Sequence, residues 1–333
     1  MRDNLKFNIK NSKALTGLSI IAMLSGVLCA LVGEIAFFLY CGALAAVFLY
    51  DKGTKRVISV ALPIIVLVLN FLLGSLVPTA AVFAPIAALI LCVFYKKGAS
   101  KGECAGYMTA VCSLMIVLGA FALAMIKVGQ FSFSLAIEYY KGIYESFSEQ
   151  LLNFIESSLQ SNTELYEGVY EGISEEYISL LLSSLVMTLP SLVVALAFLL
   201  TGLSCKFFTF IVSRLSDKRE YILSWRFSTS NIFAYFYLAA VIFLGLIGTS
   251  DVFGIAIANL QNVFMLVYAY IGFNYAKYIF SRRRNAIFVT LILIAAVAAF
   301  SSLAVSILSF LGVYFTIAKN KALSANSSDN NQS

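Results

Sequence analysis

Long apolar runs, broken at intervals by small groups of bases, make up almost the whole chain, and their spacing predicts its elements. Residues 1–15 are basic and polar, and Thr16 to Tyr50 is then apolar except for Gly33-Glu34. That run exceeds the roughly 20 residues one span needs. A glutamate at mid-bilayer would cost about 2.5–3.5 kcal/mol on the insertion scale. A tight external turn at Gly33-Glu34 avoids the cost and predicts a hairpin, 16–32 and 35–50. A second hairpin, 57–76 and 80–95, turns at Val77-Pro78-Thr79, and a span at 104–126 follows. After the polar interruption, 180–203 returns, and 231–248 with 252–276 turns around Thr249-Ser250-Asp251. The last run, 286–318, is long enough for two short spans turning near Ser301-Ser302.

The polar interruption is itself periodic. Tyr140, Tyr144, Phe147, Leu151 and Phe154 recur at three- and four-residue steps, as do Glu138, Glu145, Glu149 and Glu156. At about 100° per residue the two sets fall on opposite faces. This predicts an amphipathic helix lying on the outer leaflet or capping the bundle, its acids in water. Ser161-x-x-Glu164 fits a capping box for a second short helix. Such a segment either lids the bundle or forms a cation-attracting vestibule to a cavity.

Charge fixes the orientation. Nine of the seventeen acids lie between Val128 and Glu176, whereas of twenty-three bases only Lys127 and Lys141 fall in or beside that segment. The other bases sit at the tails and in alternate gaps, the positive-inside pattern of a polytopic membrane protein. The expected organisation is an all-α transmembrane bundle of eight to ten segments with its N-terminus inside. Its parts are a basic cytoplasmic tail (1–15), N-terminal spans (16–126), an acidic extracytoplasmic amphipathic segment (127–177), C-terminal spans (178–318) and a disordered cytoplasmic tail (319–333). The ten-segment version keeps Lys319 and Lys321 with the other cytoplasmic bases, and the eight-segment version leaves the terminal runs unsplit.

Composition agrees. With 61% hydrophobic and 12% charged residues, the chain has about half the charge a water-soluble surface requires. The net charge of +6 comes in juxtamembrane clusters, which point to anionic lipid and not to nucleic acid. There is no histidine, no paired acid within a span and no glycine-rich phosphate loop, so neither a metal or cofactor nor an enzymatic role is expected. The six cysteines stand singly and read as small packing residues. Arg2, Lys6, Lys10 and Lys13 precede a first span expected to be retained, because Leu28 before Cys29 does not fit a lipoprotein cleavage site.

Polar side chains inside spans are the remaining clue, since each needs a protein partner or a cavity. Asn259, Asn262 and Tyr270 lie within about 60° of one line on a helical wheel, and Asn70 sits in the second hairpin. This stripe would line the cavity of a small polar ligand or hold helices together by hydrogen bonds. Ala22, Gly26 and Ala30 form a small-residue ridge on the first span, suited to internal packing or to docking a partner.

Lys96-Lys97-Gly98-Ala99-Ser100 before a span, the long extracytoplasmic segment, and Arg214-Leu215 leading to Trp225-Arg226-Phe227 form a recognisable layout. With Asn259-Leu260, Ile271-Gly272 and the basic Arg282–Arg284, it resembles the YybS-like family of bacterial membrane proteins over residues 14–320. That family is similar to the S components of energy-coupling-factor vitamin transporters. The resemblance implies a bacterial plasma-membrane subunit that captures a small molecule and docks a transmembrane coupling subunit with ATPases through Ala22, Gly26 and Ala30. The chain departs from S components in its longer acidic insertion and in exceeding their usual six spans. A non-transporting scaffold for cell-envelope or developmental assembly, contacting partners through the acidic segment, is the alternative.

Overall fold

The computed structural model describes residues 12–51, 57–160, 175–215, 227, 229–249, 251–281 and 286–329, and all regular structure among them is helical. The helices are α1 (Ser12–Val32), α2 (Phe37–Tyr50), α3 (Val57–Leu72), α4 (Thr79–Lys97) and α5 (Lys101–Val128). They continue as α6 (Phe133–Gln160), α7 (Glu175–Leu215), α8 (Asn231–Ile247), α9 (Val252–Ser281) and α10 (Ala286–Asp329). Among the described residues, stretches of five helices (α1, α4, α5, α7 and α9) are long and apolar enough to cross a membrane, and the apolar helices α2, α3 and α8 are shorter.

The turns follow the chemistry of their residues. Gly33 takes φ +68° and opens a short 3-10 turn, Gly33–Ala36, between α1 and α2, where the sequence pattern puts the first reversal. α3 ends at Leu72, short of the predicted 76, because Gly74 adopts φ +83° and releases the chain toward Pro78. Ser100 caps α5 in a reciprocal box with Glu103, and the Asp251 side chain accepts from the Gly254 N–H at the start of α9.

α2 is the hub of the first bundle. Its fourteen residues include only three that are not buried, and α1, α4 and α7 surround it. A helix apolar on every side belongs inside a bundle. At about 21 Å it is shorter than the roughly 30 Å hydrocarbon core, but a helix that meets protein all round need not match lipid. Gly42 makes the fit possible, since a Cβ there would stand 3.0 Å from the Ser204 carbonyl of α7. All six cysteines lie buried in this first core, and none of them forms a disulfide.

A second, smaller group is formed by α8, α9 and α10, with Tyr237, Tyr268 and Val313 at its centre. α7 packs against both α2 and α9 and so joins the two groups.

The C-terminal run differs from expectation: 286–318 is not two short spans but part of the single helix α10. No proline and no charge stands between Ala286 and Ala318, and serine alone is a weak breaker because its hydroxyl can bond to its own helix, as Ser309 does to the Ser306 carbonyl at 2.8 Å. Ala286 and Ala318 are thus about 50 Å apart along one axis. The turn expected near Ser301-Ser302 is thus corrected, and so is the disordered tail expected from 319, because the helix runs on to Asp329.

α6 starts after Gly129, which ends α5 at φ +74°. Its first turns fold back on α5: Ala136 packs on Ala124 and Met125, and the Tyr140 hydroxyl donates to the Ala120 carbonyl at 2.7 Å. Burial at that contact, with Tyr139 beside it, raises the Tyr140 phenol above its ordinary value. Further on, Ile143, Phe147 and Phe154 are exposed, as are Glu138, Glu145 and Glu149. α6 is thus amphipathic as expected, with an apolar face that leaves the bundle after its second turn. The predicted capping box at Ser161 and Glu164 lies outside the described residues.

Candidate functional site

The stripe of Asn259, Asn262 and Tyr270 proves to be largely the seam between α9 and α7. Asn259 Nδ2 donates to the Met187 carbonyl at 2.8 Å and to the Ile255 carbonyl at 3.0 Å, while its Oδ1 accepts from the Ser191 N–H at 3.0 Å. Met187 and Ser191 are the two groups that a regular α-helix would pair with each other. They flank Pro190, which lacks an N–H and crowds the preceding turn. The Asn259 amide therefore bridges the backbone at the proline, a device that inserts a side chain into a helical ladder. Asn262 is half-buried on the same helix.

Tyr270 lies three turns further along the seam. Its ring meets Phe198 of α7 at 6.0 Å and Phe227 at 5.3 Å, and those two rings meet each other at 6.0 Å, all edge to face. The Lys206 ammonium stands 5.8 Å from the Tyr270 ring centre, within cation–π range.

Asn70 and the first-helix ridge form a separate contact. Asn70 is buried and its Nδ2 donates to the Gly26 carbonyl at 3.0 Å and to the Val66 carbonyl at 2.9 Å. A Cβ on Gly26 would stand 2.6 Å from Val66 Cγ1. Ala22 and Gly26 are buried and Ala30 is half-buried, so α3 fills the middle of the ridge. Asn70 is thus brought to Gly26 and not to Asn259 or Tyr270.

Between the two helix groups lies a crevice of about 440 Å³. One wall is the α5 face of Gly102, Gly106, Ala110 and Ser113, and the opposite wall is α9 from Val263 to Tyr268. Val194, Ala195 and Phe198 of α7, with Phe227, Thr229 and Phe233, close the remainder. Most of this lining is apolar. The hydroxyl of Ser113 is buried there with no hydrogen-bond partner, and Thr109 shares its hydroxyl with Thr201 of α7 at 3.1 Å.

Small residues at four-residue spacing create this space. Gly102-x-x-x-Gly106-x-x-x-Ala110 would ordinarily seat another helix, yet a Cβ built on Gly106 meets nothing within 4 Å. The motif was readable in the sequence, but whether such a groove is filled depends on the neighbouring helix. On the far side of Phe198 and Phe227 a smaller cavity of about 80 Å³ continues toward the N-terminus of α5, with Lys101, Lys206 and Tyr270 in its lining.

A multi-helix bundle with apolar outer faces and an apolar, hydroxyl-dotted crevice between two halves defines a polytopic membrane protein. Its family follows from the sequence match: the chain belongs to the predicted membrane protein family DUF2232, whose model covers residues 17–314. No curated protein and no solved structure matches the chain.

Proposed function

We propose that this chain is a ligand-holding subunit of a bacterial cell membrane and that its site is the crevice between α5, α7 and α9. The observation that supports this reading is the void itself: about 440 Å³, within the usual range of ligand pockets, with the unpartnered Ser113 hydroxyl in its wall. Side chains of ordinary size on α5 would close it, and Gly102, Gly106 and Ala110 keep it open. The Asn259 and Asn70 amides hold helices, and the ligand contacts pass to Ser113, Thr109 and Thr229. Membership of the YybS-like group, and a transport role beside a separate coupling subunit and its ATPases as in energy-coupling-factor S components, would fit such a site. A coupling subunit would then meet the outward face of α1, where Ile20, Leu24, Leu28 and Leu31 are exposed, because α3 covers Ala22 and Gly26.

Wild-type protein isolated in mild detergent should release a small molecule in near-equimolar amount on extraction and mass analysis. Gly106→Leu, whose side chain would extend into open space, should retain at least about tenfold less while melting at the same temperature. Equal retention by both proteins, or none by wild type, would refute the crevice as a site. The exposed mixed faces of α6 favour a second reading, a scaffold whose partners bind the glutamate side.

The proposed sidedness puts α6 outside. Because all six native thiols are buried, Ser157→Cys should be the one position that a membrane-impermeant maleimide labels on intact cells. Labelling only after the cells are opened would invert the topology.

A further inference from the structure

The crevice is as specific in what its lining withholds as in its size. Among its described residues none is charged, so an ion there would be buried without a counter-charge. Most of its hydroxyls are committed. Thr201 donates to the Phe198 carbonyl at 3.0 Å, so the proton of the Thr109–Thr201 pair at 3.1 Å comes from Thr109. Thr229 faces the Tyr268 hydroxyl. The buried Ser113 hydroxyl is left with a proton to give, because it does not turn back on its own helix as Ser309 does.

The walls differ in shape. The α5 wall of Gly102, Gly106 and Ala110 is nearly flat, since none of these carries a side chain beyond Cβ. The other sides carry rings: Phe198, Phe227, Phe233, Phe264 and Tyr268 are five of the sixteen lining residues. A flat wall beside aromatic ones is a slot, and a planar ring fills a slot with stacking and edge contacts that a bulky branched group cannot make. Phe233 and Leu266 of the lining are exposed, so the rim of the crevice lies on an apolar outer face. A solute with several polar groups, as a water-soluble vitamin has, would leave most of them unpaired here. A pure hydrocarbon would leave Ser113 unpaired.

Resting on the crevice as the site, we infer that its occupant is an uncharged, ring-bearing, membrane-soluble molecule that offers one hydrogen-bond acceptor to the Ser113 hydroxyl. The ring lies against the glycine wall of α5, and the molecule enters sideways from the bilayer. A space of about 440 Å³ has room for about fifteen groups the size of a water or a methylene, which bounds the buried part of the ligand.

Three naphthalenes of similar size test this on the full chain in mild detergent by titration calorimetry: the ketone acetylnaphthalene, the hydrocarbon ethylnaphthalene and the anion naphthoate. Wild type should bind the ketone about fivefold tighter than the hydrocarbon, the worth of one hydrogen bond. It should bind the ketone at least about tenfold tighter than the anion. Ser113→Ala should bind ketone and hydrocarbon equally, with the affinity for the hydrocarbon unchanged. Gly106→Leu should bind neither while melting with wild type. A ketone preference that survives Ser113→Ala, or an anion bound as tightly as the ketone, would overturn the ligand class. So would equal binding of ketone and hydrocarbon by wild type. In each case, loss of binding in Gly106→Leu would leave the crevice standing as the site. Failure of wild type to bind either neutral probe would also overturn the class, and a co-purified native molecule lost from Gly106→Leu would then uphold the crevice alone. Probe binding indifferent to Gly106→Leu would overturn both.

Discussion

Gly272→Leu should be the most damaging single substitution in the chain, with Gly312→Leu close behind. At the crossing of α9 and α10 the two backbones touch: a Cβ on Gly272 would collide with the Leu308 carbonyl, and one on Gly312 with the Tyr268 carbonyl. A flexible side chain could move aside, but these obstacles are main-chain atoms of a packed helix. Overpacking ordinarily costs about 1–3 kcal/mol, and a clash with rigid backbone belongs at or above the top of that range. α9 and α10 would have to separate, opening the contacts of Tyr237, Tyr268 and Val313 and the Tyr237–Ser309 hydroxyl pair at 2.9 Å. Thermal unfolding in detergent should show the loss for either substitution. Gly245→Ala is the control, because its Cβ would meet nothing within 4 Å and alanine is the better helix former. A Gly272→Leu protein that melts with wild type would show that α9 and α10 do not approach this closely.

Asn259→Leu comes next. The residue donates to Met187 and accepts from Ser191 around Pro190, so leucine removes both ends of the bridge at once. Isolated interhelical hydrogen bonds in membranes average about 0.6 kcal/mol and reach about 1.7. Here the helix has already lost one donor to proline, and the upper figure applies. The effect should be a loss of about 1.5–2 kcal/mol, read as destabilisation in a denaturant titration. The double variant Asn259→Leu Pro190→Ala should recover part of it, because a regular ladder can then reform. Unchanged stability in the single variant would mean that the amide does not bridge these groups. If Asn259 served a ligand instead, its loss would impair retention and spare the melt.

Much of the fold was legible because the sequence states it as local rules. Gly33 marks the first turn by its positive φ, alternating base clusters mark the ends of spans, and Glu138, Glu145 and Glu149 mark the wet face of α6. Ser301-Ser302 misled because serine can signal a turn in water but is absorbed by its own helix in an apolar run. The site was less legible. Asn259 and Tyr270 were correctly placed on one face, but they stand about 16 Å apart along α9 and meet different parts of α7. The crevice depends on what no neighbour supplies opposite Gly106, and a void has no residue of its own to display in the sequence. Lys101 and Lys206 each read as ordinary juxtamembrane bases, and only the pairing of α5 with α7 brings them to one pocket.

The enclosure of α2 has a consequence for how the molecule is made. α7 emerges from the ribosome more than a hundred residues after α2, yet it supplies the wall against Gly42 and the Tyr95–Phe208 contact at 5.1 Å. Until α7 inserts, the nascent chain has a gap along its central pillar that only lipid can occupy. Synthesis therefore passes through a half-built barrel of helices, and the late arrival of α7 is the step that expels lipid and seals it.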